Sequence, residues 1–433
     1  MKQIAFLIAS VLVQPVVAAD LQQIYHDAKS QDATFLMAQA AYQAGLERLP
    51  QGRAGLLPSA SFSSNVSRNY LDIEGAALID YNSRTYTLSL TQPLFRMQNW
   101  ATFEQAKQQV LQAEAQFSAA QQDLILRVAQ AYFDALLALE NISVSRSQKT
   151  FISEQLAQAK SNFQVGTTTV IDVNETQARY DQIAAKEIAD QNDLEIKIQA
   201  LKELISKDPE QLVPLKDQLV LALPTPNSIN DWVAASEMNN QTLVALRASV
   251  EMAKSEVQKQ RAGRLPVVDV VASHNNSRNA VMDVFGNLAN LRSSQIGIQL
   301  TLPLYAGGAI QSRIREALAN QDRSNYEFEA FRRTVSRSVL TAFLGVTSGI
   351  MQVRALEQAL KSSQASLDST KLGYEAGVRT GLDVLNAEQQ VSQARRDVLQ
   401  VRYNVILSQL RLKAVTGKLN EADLAEVNAL LAN

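Results

Sequence analysis

Arg53-Ala54-Gly55-Leu56-Leu57-Pro58 returns about 210 residues further on as Arg261-Ala262-Gly263-Arg264-Leu265-Pro266. Two more landmarks return in the same order at nearly the same offset. Thr91-Gln92-Pro93-Leu94-Phe95 becomes Thr301-Leu302-Pro303-Leu304-Tyr305, and Phe163-Gln164-Val165-Gly166 becomes Tyr374-Glu375-Ala376-Gly377. The glycine landmarks lead into Ile171-Asp172-Val173 and Leu382-Asp383-Val384. Ordered matches at one offset mark an internal duplication, so the chain is built from two copies of one plan.

Periodicity shows what each copy contains. No proline occurs over 94–208 or 304–433, and both stretches are rich in Ala, Gln, Leu, Glu and Lys, which favour helix. Phe103, Ala106, Val110, Ala113, Phe117, Ala120 and Leu124 step by three and four. So does a second series, from Val384, Ala387, Val391 and Ala394 on to Leu412 and Val415. Sustained heptads of small apolar residues predict long helices in close coiled-coil contact. Segments 96–163 and 305–373 would each be rods of about 100 Å at the helical rise.

Between the paired prolines the period changes to alternation. Tyr86, Leu88 and Leu90 alternate with Thr85, Thr87 and Ser89, and Ile296, Ile298 and Leu300 alternate with Gln295, Gly297 and Gln299. Four strands are predicted, at about 59–70, 84–94, 267–276 and 294–304, joined by long polar segments over 71–83 and 277–293. About ten residues suffice for a tilted strand to cross a bilayer. The smallest membrane barrels need about eight strands, so one chain cannot close a barrel and copies must share it. Two surface hairpins on a helical protein is the competing reading.

Met1-Lys2, the apolar run Ile4–Val13 and the small-residue exit Val17-Ala18-Ala19 predict a secretory signal peptide over 1–19, cleaved after Ala19. No later stretch approaches the ~20 consecutive apolar residues of a spanning helix. A net charge of −2 over 433 residues advertises no nucleic acid partner. The absence of cysteine removes disulfides, thiolate chemistry and Cys-ligated zinc. No phosphate loop, HExxH pair or nucleophile elbow is present, and His26 and His274 are far apart in sequence. No catalytic residue, cofactor or metal site is expected.

The duplicated landmarks, with Tyr374-Glu375-Ala376-Gly377-Val378-Arg379-Thr380-Gly381-Leu382-Asp383-Val384-Leu385-Asn386, Arg402-Tyr403-Asn404 and Gly417-Lys418-Leu419-Asn420, resemble the TolC-type outer-membrane channel family over the whole mature length. The likeness is nearer to the TolC branch than to the lipid-anchored drug-efflux branch, whose N-terminal cysteine is missing here. The resemblance implies a mainly helical, internally duplicated protomer with a membrane β part. Three protomers would form one twelve-stranded β-barrel in the outer membrane and an α-helical tunnel in the periplasm. It also implies a passive exit duct for type I protein secretion or small-molecule efflux. The partners would be a periplasmic adaptor, an inner-membrane ABC or proton-driven transporter and outer-membrane lipid. Adaptor contacts are expected near 155–180 and 365–390. The expected plan is a first repeat over 20–208, a connector over 209–228, a second repeat over 229–416 and a tail over 417–433. Connector and tail would belong to a mixed equatorial band.

The glycines Gly166 and Gly377 end helices where a left-handed residue is needed, and Asp172 and Asp383 suit the positive ends of the helices that follow. Tight turns and helix capping therefore explain these residues by themselves. The resemblance adds a gate at the periplasmic tip. In it Tyr374 and Arg379 bond across to Asp172 and Gln155, and Asp383 forms an acidic ring. The second ring position, usually Asp in the nearest relatives, is Asn386 here. Half the ring charge would be lost, weakening cation selectivity. Tyr70, Tyr81, Tyr86, Phe95, Phe285 and Tyr305 suit interface girdles, with core packing open for Phe95 and Tyr305. A periplasmic coiled-coil tether without channel activity is the alternative function, though it leaves the four strands unexplained.

Overall fold

A computed structural model describes residues 20–72, 78–216, 219–282 and 287–432. The leader expected over 1–19 and the girdle aromatic Phe285 lie outside the described residues. The elements run α1 (Leu21–Gln31), α2 (Ala33–Leu46), α3 (Arg48–Ala54), β1 (Ser59–Leu71), β2 (Ile79–Phe95), α4 (Met97–Gln164) and α5 (Val170–Ile205). The same succession then repeats as α6 (Ile229–Asn239), α7 (Gln241–Ala262), β3 (Val267–Met282), β4 (Leu288–Thr301), α8 (Ala309–Glu375) and α9 (Gly381–Val415), with α10 (Glu421–Asn428) at the end. The chain divides into two compact units. One comprises Met1–Ala38, Ser118–Asn240 and Thr334–Asn433, and the other Gln39–Phe117 and Gln241–Arg333.

In the second of these units the strands form one antiparallel sheet in the order β1-β2-β3-β4. Register is continuous along β1 and β2, from Ser59 opposite Thr91 to Leu71 opposite Ile79. β2 and β4 are therefore placed differently from the expected 84–94 and 294–304, and the connections are shorter than 71–83 and 277–293. The polar residues near the hairpin tops belong to the ladder, where they pair across strands. Arg68 bonds Asp80 at 2.5 Å, and the Ser67 and Ser83 hydroxyls are 2.8 Å apart. Pro303, with no N–H to donate, lies just past the end of β4 at Thr301. At the helix end of the sheet Arg96 makes a bidentate pair with the buried carboxylate of Asp269, at 2.9 and 2.6 Å.

The other unit is helical. Its core gathers Leu21 and Ile24 of α1, Tyr132, Phe133 and Leu136 of α4, Leu201 and Ile205 of α5, and Ile406 and Leu410 of α9, all nearly or fully buried. Phe133 packs on Tyr403 with ring centroids 5.3 Å apart. α8 packs on α9 through Val346, Ile350, Val353 and Val405. α8 alone among the described helices is long and apolar enough to cross a membrane by length and composition. Interspersed Ser, Thr and Gly keep this stretch from being an unbroken apolar run of about 20 residues. Trp232 of α6 and Ile24 of α1, 208 residues apart and so at matching positions of the two copies, are both buried. Connector and tail meet in a short antiparallel bridge at Leu215 and Leu431, with Ala432 N–H donating to the Pro214 carbonyl at 2.8 Å.

Candidate functional site: the exposed sheet and the helical tip

The sheet is apolar where a soluble protein would be polar. Strand alternation sends even-numbered residues to one face, and the register stacks Phe62, Leu88 and His274, then Leu90, Ala272 and Ile296, then Val270 and Ile298. These positions face solvent in the protomer: Phe62 is 68% exposed, Ile296 79% and Ile298 73%. The opposite face carries Ser61, Ser63, Asn65, Thr85, Thr87, Ser89, Ser273 and Asn275. Its hydroxyls and amides bond one another, Thr85 with Ser277 at 3.0 Å and Asn69 with Ser83 at 2.8 Å. A mainly apolar band, broken at His274, opposite a hydroxyl-rich face suits hydrocarbon on one side and water on the other. β1 and β4 are edges, and among the described residues neither has a second strand partner. Phe95 and Tyr305 are 40% and 90% exposed, so core packing does not account for them.

At the far ends of the long helices the two copies build one turn twice. Gly166 and Gly377 have φ of +79° and +73°, and a Cβ on either would meet nothing within 4 Å. Backbone conformation is what demands glycine at both. Thr169 and Thr380 then cap α5 and α9. In each capping box the threonine hydroxyl accepts from the aspartate N–H, and the Asp172 or Asp383 carboxylate accepts from the threonine N–H, at 3.1 and 2.9 Å. The copies differ one residue earlier. Thr168 donates a further bond to Asp172 at 2.6 Å, whereas the matching residue is Arg379. Both carboxyls titrate below the ordinary 3.8. Asp172 is held down first by the Thr168 hydroxyl, and Asp383 by the Thr380 N–H and hydroxyl with a smaller contribution from the Arg379 charge.

The profile of the outer membrane efflux protein family matches the chain twice, over residues 24–207 and 232–418. The chain belongs to this family. Outer membrane protein TolC of Vibrio cholerae is 31% identical over 415 residues, covering 95% of this chain and 94% of the relative. The alkaline protease secretion protein AprF of Pseudomonas aeruginosa is 31% identical over 414 residues, covering 94% and 86%. In fold the chain is similar to the Campylobacter jejuni CmeC outer membrane channel. The TM-score there is 0.82 at 17% identity, with 94% of this chain and 89% of the other covered. This outer membrane efflux protein is therefore an outer-membrane exit duct for secretion or efflux, with its helices extending into the periplasm of a Gram-negative cell. The named relatives are channel and secretion proteins, not enzymes.

Within this efflux protein Gln155, Asp172 and Tyr374 line one cleft of about 210 Å³, together with Glu175, Thr176 and Leu385. Arg379 is outside that lining. Its N–H bonds the Gly373 carbonyl at 3.1 Å, its side chain lies along Gly373, and it is exposed. Among the described residues of the protomer, no hydrogen bond joins Tyr374 or Arg379 to Asp172 or Gln155. Among the described residues, every hydrogen bond to the Asp172 and Asp383 carboxylates falls on Oδ2, which leaves both Oδ1 atoms for other partners. Asn386 is exposed and accepts a long bond, 3.3 Å, from Arg179 of α5, which also reaches Gln389 at 3.4 Å. Sequence reading missed Arg179 because nothing along the chain places α5 beside α9. The capping threonines were legible, since Thr-x-x-Asp stands before each helix.

Proposed function

We propose that three copies close a twelve-stranded barrel by pairing β1 of one protomer with β4 of the next, and that the helical tips form the gate of the duct. The observation that supports this most is the four-stranded sheet with an apolar exposed face, a hydroxyl-rich opposite face and two unpaired edges. An isolated sheet of this kind in water would expose its apolar face and both edges to aggregation. Assembly in a bilayer removes both liabilities. The protomer performs no catalysis of its own. Cargo, energy and recruitment come from a periplasmic adaptor and an inner-membrane ABC or proton-driven transporter, with adaptor contacts near 155–180 and 365–390. The expected division into repeats over 20–208 and 229–416 stands as part of this proposal, and the paired connector and tail form its equatorial band.

At the tip, Arg379 is an exposed guanidinium that makes no side-chain hydrogen bond or ion pair among the described residues, and no hydrogen bond among them reaches Asp172 Oδ1. A bond from Arg379 and one from Tyr374 to the Asp172–Gln155 edge of the cleft would hold the entrance shut. Asp383, three copies around the axis, forms the acidic ring, and Asn386 leaves the adjoining position uncharged. In planar bilayers Arg379→Ser is expected to raise the conductance of the closed state several-fold. An unchanged conductance would reduce these residues to turn and cap. Asn386→Asp is expected to raise cation selectivity, and more so with Arg179→Gln, because Arg179 lies within 3.3 Å of the Asn386 oxygen. Equal selectivity in all variants would remove the ring from the account.

A further inference from the structure

Above the apolar band, the same exposed face of the sheet carries a cluster of arginines. Arg84 on β2 stands directly opposite Arg278 on β3, and Arg292 on β4 stands opposite Asn276, two residues from Arg278. All three have the even-numbered parity of Leu88, Leu90 and Ile296, and all three are exposed. Directly opposed side chains on an antiparallel ladder have Cβ atoms roughly 5 Å apart, and like charges there repel. Diagonally across β1 and β2, by contrast, Arg68 is neutralised by Asp80 at 2.5 Å. Arg84, Arg278 and Arg292 make no ion pair or side-chain hydrogen bond among the described residues.

Immediately below lies a shallow groove of about 310 Å³ lined by Leu88, Leu90, Ala272, His274, Ser294 and Ile296. The small side chain of Ala272 forms its floor between Leu90 and Ile296. His274 Nδ1 and the Ser294 hydroxyl, 2.8 Å apart, lie at its upper edge, between apolar groove and arginines. Three unpaired guanidiniums above an apolar groove match a lipid with an anionic phosphate head and acyl chains.

We propose that Arg84, Arg278 and Arg292, with the groove beneath them, bind a phosphorylated lipid of the outer leaflet, namely the bisphosphorylated lipid A of lipopolysaccharide. The leaflet rests on the membrane reading of the sheet. The helices leave its opposite end toward the periplasm, so the hairpin end faces outward. The phosphates occupy the space between Arg84, Arg278 and Arg292, converting a repulsive pair into two charge-assisted contacts. One acyl chain runs over Ala272.

The test uses the full chain, extracted from outer membranes and delipidated in detergent. Bound lipid is counted by native mass spectrometry, and stability is read by thermal unfolding. Bisphosphorylated lipid A is expected to bind the wild type and raise its melting temperature. Monophosphoryl lipid A should bind at least threefold more weakly. Arg84→Gln with Arg278→Gln should lower lipid A affinity at least tenfold. Without lipid this double variant should melt no lower than the wild type, because a like-charge pair has been removed. Arg354→Gln, an exposed arginine of α8, should bind as the wild type does. Undiminished lipid A binding by the double variant would overturn the proposal, as would an equal stability gain from inorganic phosphate alone. Heat-modifiable migration of the same preparation on gels reports the membrane assembly separately, so loss of lipid binding and failure of the barrel reading are distinguishable.

Discussion

Asp172 and Asp383 are one residue used twice, and each carries two roles that separate experimentally. The capping role belongs to the protomer. Thr169→Ala or Thr380→Ala removes the hydroxyl that accepts from the aspartate N–H, and such cap losses cost about 1 kcal/mol. Faster amide exchange over the first turns of α5 or α9, at unchanged exchange elsewhere, is the expected readout. The folded carboxyls titrate below their ordinary 3.8, so their stabilising contribution is complete above that pH. It is lost as pH falls below 3.8 through the lower folded values. Tip protection measured by exchange should therefore be flat from pH 7 to 5 and fall only below about pH 4. Loss already at pH 6 would point to a different titrating group. At Gly377, φ of +73° makes Gly377→Ala a strain test, with an expected cost of about 1 kcal/mol. The turn glycines and capping aspartates could be read from the sequence, because their conformational demands are local. The Arg179–Asn386 contact could not, since α5 and α9 are separated by most of the second copy.

The long helices were the most legible elements. Segments 96–163 and 305–373 correspond to α4 at Met97–Gln164 and α8 at Ala309–Glu375, because proline exclusion and heptad stepping persist for many turns. The small seam residues predicted close contact, but not that glycines of α8 would sit at it. A Cβ on Gly349 would lie 2.5 Å from Val405 Cγ2, and one on Gly345 would lie 2.8 Å from the Ser408 hydroxyl. α8 and α9 therefore meet backbone against side chain. Gly349→Leu is expected to force them apart at a cost of about 1–3 kcal/mol, read as a lowered melting temperature. A compensating Val405→Ala should recover part of that loss, and the absence of any recovery would mean that the two residues do not oppose each other. The strands were less legible at their outer ends. Asp80, Asn82 and Ser83 read as loop residues by polarity, yet they extend β2 toward Ile79 through cross-strand pairs that sequence alone does not register.

At the scale of the whole molecule, the duplication makes each copy one hairpin plus one pair of long helices, and the two hairpins join into a single four-stranded sheet. The chain belongs to the outer membrane efflux protein family, and in the proposed barrel that sheet lies in the outer membrane with its edges β1 and β4 paired between copies. The chain has no cysteine, which makes those edges directly addressable. Within one protomer β1 and β4 are three strand spacings apart, roughly 14 Å, beyond the ~7 Å Cα separation a disulfide tolerates. A cysteine introduced as Ser61→Cys on β1 can therefore bond one on β4 only in another copy. Paired in turn with Ser293→Cys, Gln295→Cys, Gly297→Cys and Gln299→Cys, it samples successive registers along the hydroxyl-rich face. After oxidation in intact outer membranes, at least one pair should give a cross-linked ladder on reducing-agent-free denaturing gels that ends at three chains and collapses to one on reduction. Ladders that stop at two, continue past three, or fail to form for every pair would contradict a barrel shared by three copies.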